Sequence, residues 1–301
     1  MLEEHNGLLR LEVDGAPCVA FPRLTGPVEV GDDVVVNVQA RELELGTGGF
    51  DVLHVNLTRG LDLGAEAGAH VMKLPYTSLQ LARRHAEEEL DLPVSLDEMP
   101  VVACSLHSQV APVCAALRGL RVAYVQLEGG ALPVELSDSL RELRREGLLE
   151  TTIGSGACFG GDVDCVNVYS ALTVACALGA EVAVCAIGPG VVGTGTRLGH
   201  GGTAAAVAIA AARALGGRPV LAVRVSEGDA RERHRGVSHH SEAVLSLSGD
   251  APALASEADA AGWREACAGL TLSHMGRGPD EDPAFFAAAY GAGVRARSLL
   301  G

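Results

Sequence analysis

From Val101 to Val225 the chain repeats one unit: a continuous apolar run, a polar or glycine-rich loop, then a segment with helical periodicity. Val101–Leu106 precedes Ala111–Leu117, and Val122–Leu127 precedes Ser137–Glu146. Thr151–Ile153 precedes Val166–Leu178, Val182–Ile187 precedes Thr203–Leu215, and Val220–Val225 follows. Strands that are apolar along their whole length are buried on both sides, which parallel sheets achieve by carrying helices on both faces. The expected fold class is therefore α/β, a parallel or mostly parallel Rossmann-like sheet covered on both faces.

The first sixty residues read differently. Short strands alternate with turn signals at Asp14-Gly15, Gly31-Asp32 and Gly48-Gly49, which predicts a small N-terminal β-barrel-like module over residues 1–60. A strand-like piece at His70–Leu74, a helix from about Ser78 to Leu90 and a polar, proline-broken linker at Asp91–Met99 fill 61–99. The α/β domain then occupies 100–301, and Pro283 is expected to open a helix in the tail.

Composition narrows the setting. No apolar run reaches the roughly 18 residues that cross a bilayer, and the first six residues lack the basic start and apolar stretch of a secretory signal. A soluble, cytoplasmic protein with no membrane partner is expected. The net charge of −15 argues against a nucleic-acid partner, whose phosphates need a lysine and arginine surface. The eight cysteines form no C-x-x-C pair and read as core residues in a reducing compartment; Cys158, in a glycine loop near Asp162, is the least ordinary. A homo-oligomer is compatible with this composition, which does not specify one.

In parallel α/β sheets, ligands bind beyond the carboxyl ends of the strands, so the residues after each strand are the candidates. They are His107-Ser108-Gln109, Glu128-Gly129-Gly130, Gly154 to Asp162, Gly188 to Gly202, and Ser226-Glu227. The fourth loop is the strongest signal. Gly188, Gly190, Gly193 and Gly195 would bring backbone amides near a ligand, and Thr194, Thr196, Arg197 and His200 would add donors beside a helix N-terminus. That combination predicts an anion site. The formal G-x-G-x-x-G match at Gly188, Gly190 and Gly193 is weak, because the next helix starts late, and the lack of G-K-[ST] excludes a nucleoside triphosphate P-loop.

A basic segment, Arg231 to His240, could hold an oxyanion through Arg233 and its neighbours, with His234 and His239 as acids or bases. His234, His239 and His240 could also join Asp162 or Glu128 around a metal, although the spacing matches no zinc motif. Asp162 could instead cap the helix near Val166, with Asp164 in its first turn. His107 beside Ser108 has no G-x-S-x-G elbow, which disfavours a serine hydrolase.

Six ordered segments carry a wider likeness. Gly48–Asp51, His54–Gly60, Gly68–Lys73, Asn167–Ser170, Gly188–Gly195 and Arg231–His240 together resemble the bacterial family known as domain of unknown function 3866. The resemblance implies a bacterial cytosolic protein and supplies no catalytic residues. The residues themselves favour an enzyme acting on a small anionic metabolite, phosphorylated or carboxylated, with His107, Glu128, Asp162, His234 and His239 as catalytic candidates and the cofactor unspecified. The alternative is a non-catalytic metabolite-sensing or assembly protein using the same pocket.

Overall fold

The computed structural model describes residues 3–5, 7–44, 49–61 and 63–300. They form two compact units, 1–84 and 85–301. The expected turn at Gly48-Gly49 has its first glycine outside the described residues, as do parts of the N-terminal hexapeptide.

In the first unit, strands β1 (Glu3–His5), β2 (Leu8–Val13), β3 (Ala16–Ala20), β4 (Val34–Asn37) and β5 (Asp51–Asn56) make a mixed sheet in the order β1-β2-β3-β5-β4. The β3 and β5 pair is parallel and the others are antiparallel. Leu9, Cys18, Ala20, Val28 and Leu53 form its core. Two single-turn helices, α1 (Pro22–Thr25) and α2 (Gln39–Glu42), and an antiparallel pair, β6 (Val71–Lys73) with β7 (Leu81–Arg83), complete the unit. No long helix forms at Ser78–Leu90. That stretch holds β7 and a 3-10 turn at Ala86–Glu88, because Arg83-Arg84-His85 stays extended and the acidic run that follows has few apolar residues to bury.

The second unit is built on six strands, β8 (Pro100–Cys104), β9 (Val122–Leu127), β10 (Thr151–Ser155), β11 (Val163–Cys165), β12 (Val182–Ile187) and β13 (Arg218–Ala222), all parallel, in the order β11-β10-β9-β12-β8-β13. Strand β11 lies within the stretch assigned from sequence to loop and helix. Every residue of β8, β9 and β12 is buried, as their unbroken apolar runs require. The fourth strand of the expected series, β12, is inserted between the first two, unlike the dinucleotide-binding arrangement, where the first strand neighbours the second.

Helices α3 (Val110–Ala116), α4 (Asp138–Arg145), α5 (Val168–Ala177), α6 (Ala204–Ala214), α7 (His239–Leu247), α8 (Trp263–Ala266) and α9 (Pro283–Arg297) follow in chain order, with a two-residue hairpin, β14 (Val225–Ser226) and β15 (Gly236–Val237), between α6 and α7. Alternate strand residues divide the core. Val101, Ala103 and Val125 pack with α5, α6 and α7; Val102, Cys104 and Tyr124 pack with α3, α4 and α9. The chain therefore leaves β12 toward one face and leaves its neighbours β9 and β8 toward the other, so the crossover direction reverses at β12. Pro283 occupies the first turn of α9, as expected. Among the described residues no helix is long and apolar enough to cross a membrane.

Candidate functional site

The glycines after β9 and β12 serve first to bring two loops together. A Cβ on Gly130 would collide with the Gly188 carbonyl, one on Gly188 with the Ala131 carbonyl, and one on Gly201 with the Gly129 carbonyl. The contact is sealed by hydrogen bonds from Ala131 N to Pro189 O (2.9 Å) and from Val192 N to Gly129 O (3.0 Å). Of the glycines from Gly188 to Gly202, Gly190 alone takes a left-handed φ, 76°.

The middle of the segment closes on itself. Gly193 pairs with His200, and Thr194 N donates to Gly199 O at 2.7 Å. The Thr194 and Thr196 hydroxyls lie 2.9 Å apart, Gly199 N donates to Thr196 Oγ1, and Thr196 N points to Thr194 Oγ1. The donors expected to cradle an anion are thus largely spent inside a hairpin, and Arg197 is exposed at its tip. What the segment delivers to the interior is His200, 5 % exposed at the hairpin's base and followed directly by a 3-10 turn at Gly201–Thr203 that leads into α6.

His200 meets three other histidines. Ser238 caps α7, its hydroxyl facing His240 N, and this starts the helix at His239 and His240. The His200 and His240 rings stack at 3.8 Å; His239 stands 4.5 Å from His240 and 5.4 Å from His200. His234 lies 4.8 Å from His239, with its Nδ1 2.7 Å from the Ser238 hydroxyl. Burial disfavours a charge on every ring. It takes His234 down to about 3 and His240 to about 2, and lowers His200 and His239, with nearby arginines adding repulsion. The four rings are therefore neutral near pH 7. His200 Nδ1 and His239 Nε2 are buried without a hydrogen-bond partner among the described residues.

Beside the rings is a charged network that reading the sequence missed. Arg224 is 2 % exposed; its Nη1 is 3.3 Å from His240 Nδ1, its Nη2 donates to Asp229 (3.2 Å), and its Nε has no partner among the described residues. Asp229 also accepts from Arg231 (2.9 Å) and Arg277 (3.4 Å), and Arg231 above all, with Arg224, holds its carboxyl well below the usual carboxylate range against the effect of burial. Asp282, fully buried, accepts from Ser226 and Arg277. Burial pulls Arg224 down to about 10, against the attraction of Asp229, so it stays charged at neutral pH. His274 stacks on Phe285 at 3.7 Å, takes its partner at Ser108 Oγ (3.2 Å), and is lowered to about 3 by burial and by Arg224 and Arg277. One signal was available: Arg224 is a lone charge inside the apolar run Val220–Val225. No local pattern marks Asp229, Asp282 or His274.

Other expected residues lie elsewhere. Asp162 sits at the amino-terminal end of β10, where its carboxylate accepts from Thr152 N (2.7 Å), Thr152 Oγ1 (2.9 Å) and Arg144 (2.6 Å). The chain runs back along β10 before β11 begins, and this return carries Asp162 away from the carboxyl edge. The cap of α5 is Asn167, which accepts from Tyr169 N and Ser170 N, and Asp164 is buried within β11. Glu128 is exposed and accepts from Ala157 N at 2.7 Å. His107 bridges Ile187 O (3.2 Å) and Ser137 Oγ (2.6 Å), the hydroxyl that caps α4. Cys158 is fully buried, and Arg233 is exposed in the turn next to His234.

The fold and site define an α/β protein of two units whose second unit carries a buried histidine and arginine cluster beyond a parallel sheet. The chain belongs to the family described as protein of unknown function DUF3866, whose profile matches residues 17–259. No curated protein and no solved structure matches it.

Proposed function

We propose that this is an enzyme acting on a small anionic metabolite, phosphorylated or carboxylated, with the anion taken at Arg224 and the neutral histidines beside it as proton carriers. The supporting observation is Arg224 itself. A guanidinium that is 2 % exposed and whose Nε has no partner among the described residues is costly unless a ligand oxygen completes it. The Gly188–Gly202 segment forms one wall through His200, and Arg233 would meet the ligand from the rim. His234 or His239, uncharged near pH 7, can accept a proton without first losing one.

The reading is tested by calorimetric titration of the protein with inorganic phosphate, pyrophosphate and citrate at pH 7. Binding of at least one of these should weaken about tenfold or more in Arg224→Gln, since a charge-assisted hydrogen bond of roughly 1.5–3 kcal/mol is lost. Equal affinity in the variant, or no binding by the native chain, would discard it.

The second reading, a non-catalytic metabolite sensor or assembly protein, has its own support. Glu128 and Asp162, the expected carboxylate bases, are each tied to backbone amides. A sensor predicts anion binding with no turnover of any phosphorylated or carboxylated compound it binds. For its setting we propose the bacterial cytoplasm, supported by eight free thiols, and a metabolite instead of nucleic acid, supported by the net charge of −15.

A further inference from the structure

We infer that His200, His239 and His240 form a three-histidine site for a divalent cation of the zinc class. One ring nitrogen from each lies within 4.8 Å of the other two. A tetrahedral ion held at about 2.0–2.1 Å sets its ligand nitrogens about 3.3 Å apart. The nitrogens must therefore close by at most about 1.5 Å, and the His200 and His240 rings, 13° from parallel, must turn out of their stack by side-chain rotation so that their in-plane lone pairs converge.

The protonation pattern fits such an ion. His200 Nε2 lies 3.1 Å from the Arg197 carbonyl, which can only accept. The ring proton is thereby fixed on Nε2, and Nδ1 keeps a lone pair, in the arrangement by which metal-bound histidines are commonly held from outside the ligand shell. That Nδ1 is buried with no donor to meet it among the described residues, and so is His239 Nε2. His240 Nδ1 faces a donor, Arg224 Nη1, so it too carries a lone pair, and the contact is a long one at 3.3 Å that an ion can displace while Arg224 keeps Asp229. His234 is not among the three whose nitrogens converge, and its Nδ1 faces the Ser238 hydroxyl instead. Neutral imidazoles suit zinc, cobalt or nickel better than calcium or magnesium, which prefer oxygen.

Charge sets the fourth position. Arg224, Arg231 and Arg277 face two carboxylates, Asp229 and Asp282, which leaves a positive excess beside the rings. A cation bound there is best completed by an anionic fourth ligand, either a hydroxide or an oxygen of the proposed substrate. The role of the ion thus rests on the anion reading above, whereas its existence rests on the three rings.

The test is cobalt titration of the full chain after treatment with a chelator, read by visible absorption without phosphate. The expected result is one equivalent bound with the intense bands of tetrahedral cobalt, displaced by zinc. His200→Gln, His239→Gln and His240→Gln should each weaken binding about tenfold or more, and His54→Gln, at an exposed position of β5, should leave it unchanged. Bands that are absent, or that persist in all three variants, overturn the site. Should a variant fail to fold, the cobalt-shifted imidazole N–H signals of the native chain decide: three support the site and any other number overturns it. A separate titration of metal-free protein with inorganic phosphate reads the Arg224 reading alone, so either idea can fail without the other.

Discussion

The His200 and His240 rings lie face to face, 3.8 Å between centroids and 13° from parallel, although forty residues of chain separate them. One ring ends the hairpin after β12; the other belongs to the first turn of α7. Their meeting defines the interior of the candidate site, and the residues around it differ sharply in what their replacement should do.

Arg224 should be the most sensitive to truncation. Arg224→Met removes one member of a pair in which both side chains are 2 % exposed, leaving Asp229 with the more exposed Arg231 and Arg277. Breaking a buried pair by removing one partner costs about 3–5 kcal/mol, and the two remaining arginines should hold the loss near the lower figure. Urea unfolding at pH 7 measures it; a loss under about 1 kcal/mol would mean that Asp229 does not depend on Arg224.

The glycine loop should split into two classes. Gly188→Ala drives a methyl into the Ala131 carbonyl and to within 3.1 Å of Gln126 Nε2, so it should cost about 2 kcal/mol or more. Gly195→Ala meets nothing within 4 Å and should stay within about 1 kcal/mol of the native chain. Thermal unfolding of both variants checks the contrast, and equal effects would contradict the loop contact.

His107 should make stability depend on pH. Burial lowers its folded value to about 4 from an ordinary 6.5, and its partners are the Ile187 carbonyl, the Ser137 hydroxyl and the Tyr124 phenol, all uncharged between pH 5 and 7. Below 6.5 the unfolded chain takes up a proton that the folded chain refuses. This contribution is complete above pH 6.5, shrinks as pH falls, and levels off near 4. The whole span is roughly 3 kcal/mol. His107→Gln should flatten that part of the unfolding profile between pH 7 and 5, and an unchanged slope would rule out this source.

Asp162→Asn should disturb the sheet edge and not the site. Its ion pair with Arg144 is solvent-exposed, so the loss should be about 1 kcal/mol or less, and anion affinity at Arg224 should not move. A large fall in phosphate binding would return Asp162 to the list of site residues.

The central strands of the second unit are legible in the sequence because their burial on both faces is written into consecutive residues. Val122–Leu127 and Val182–Ile187 match their predicted limits. The stretch Ser78–Leu90 holds a short strand where a helix is expected, and β11 falls where loop and helix are expected, since three-residue strands leave almost no periodic signal. The Arg231–His240 segment stood out through composition, but its first histidine and its last two take different surroundings once Ser238 starts a helix between them.

The sequence by itself determined a parallel α/β unit with polar loops at its strand ends and a concentration of histidine and glycine in two of them, because apolar runs and glycine are local properties. The tertiary structure decided strand order, the placement of Asp162 at the far edge, the use of glycine for contact between loops, and the joining of His200 to His239, His240 and Arg224. Those follow from which loops are adjacent across the sheet, and adjacency is set by packing between segments whose sequences carry no record of one another.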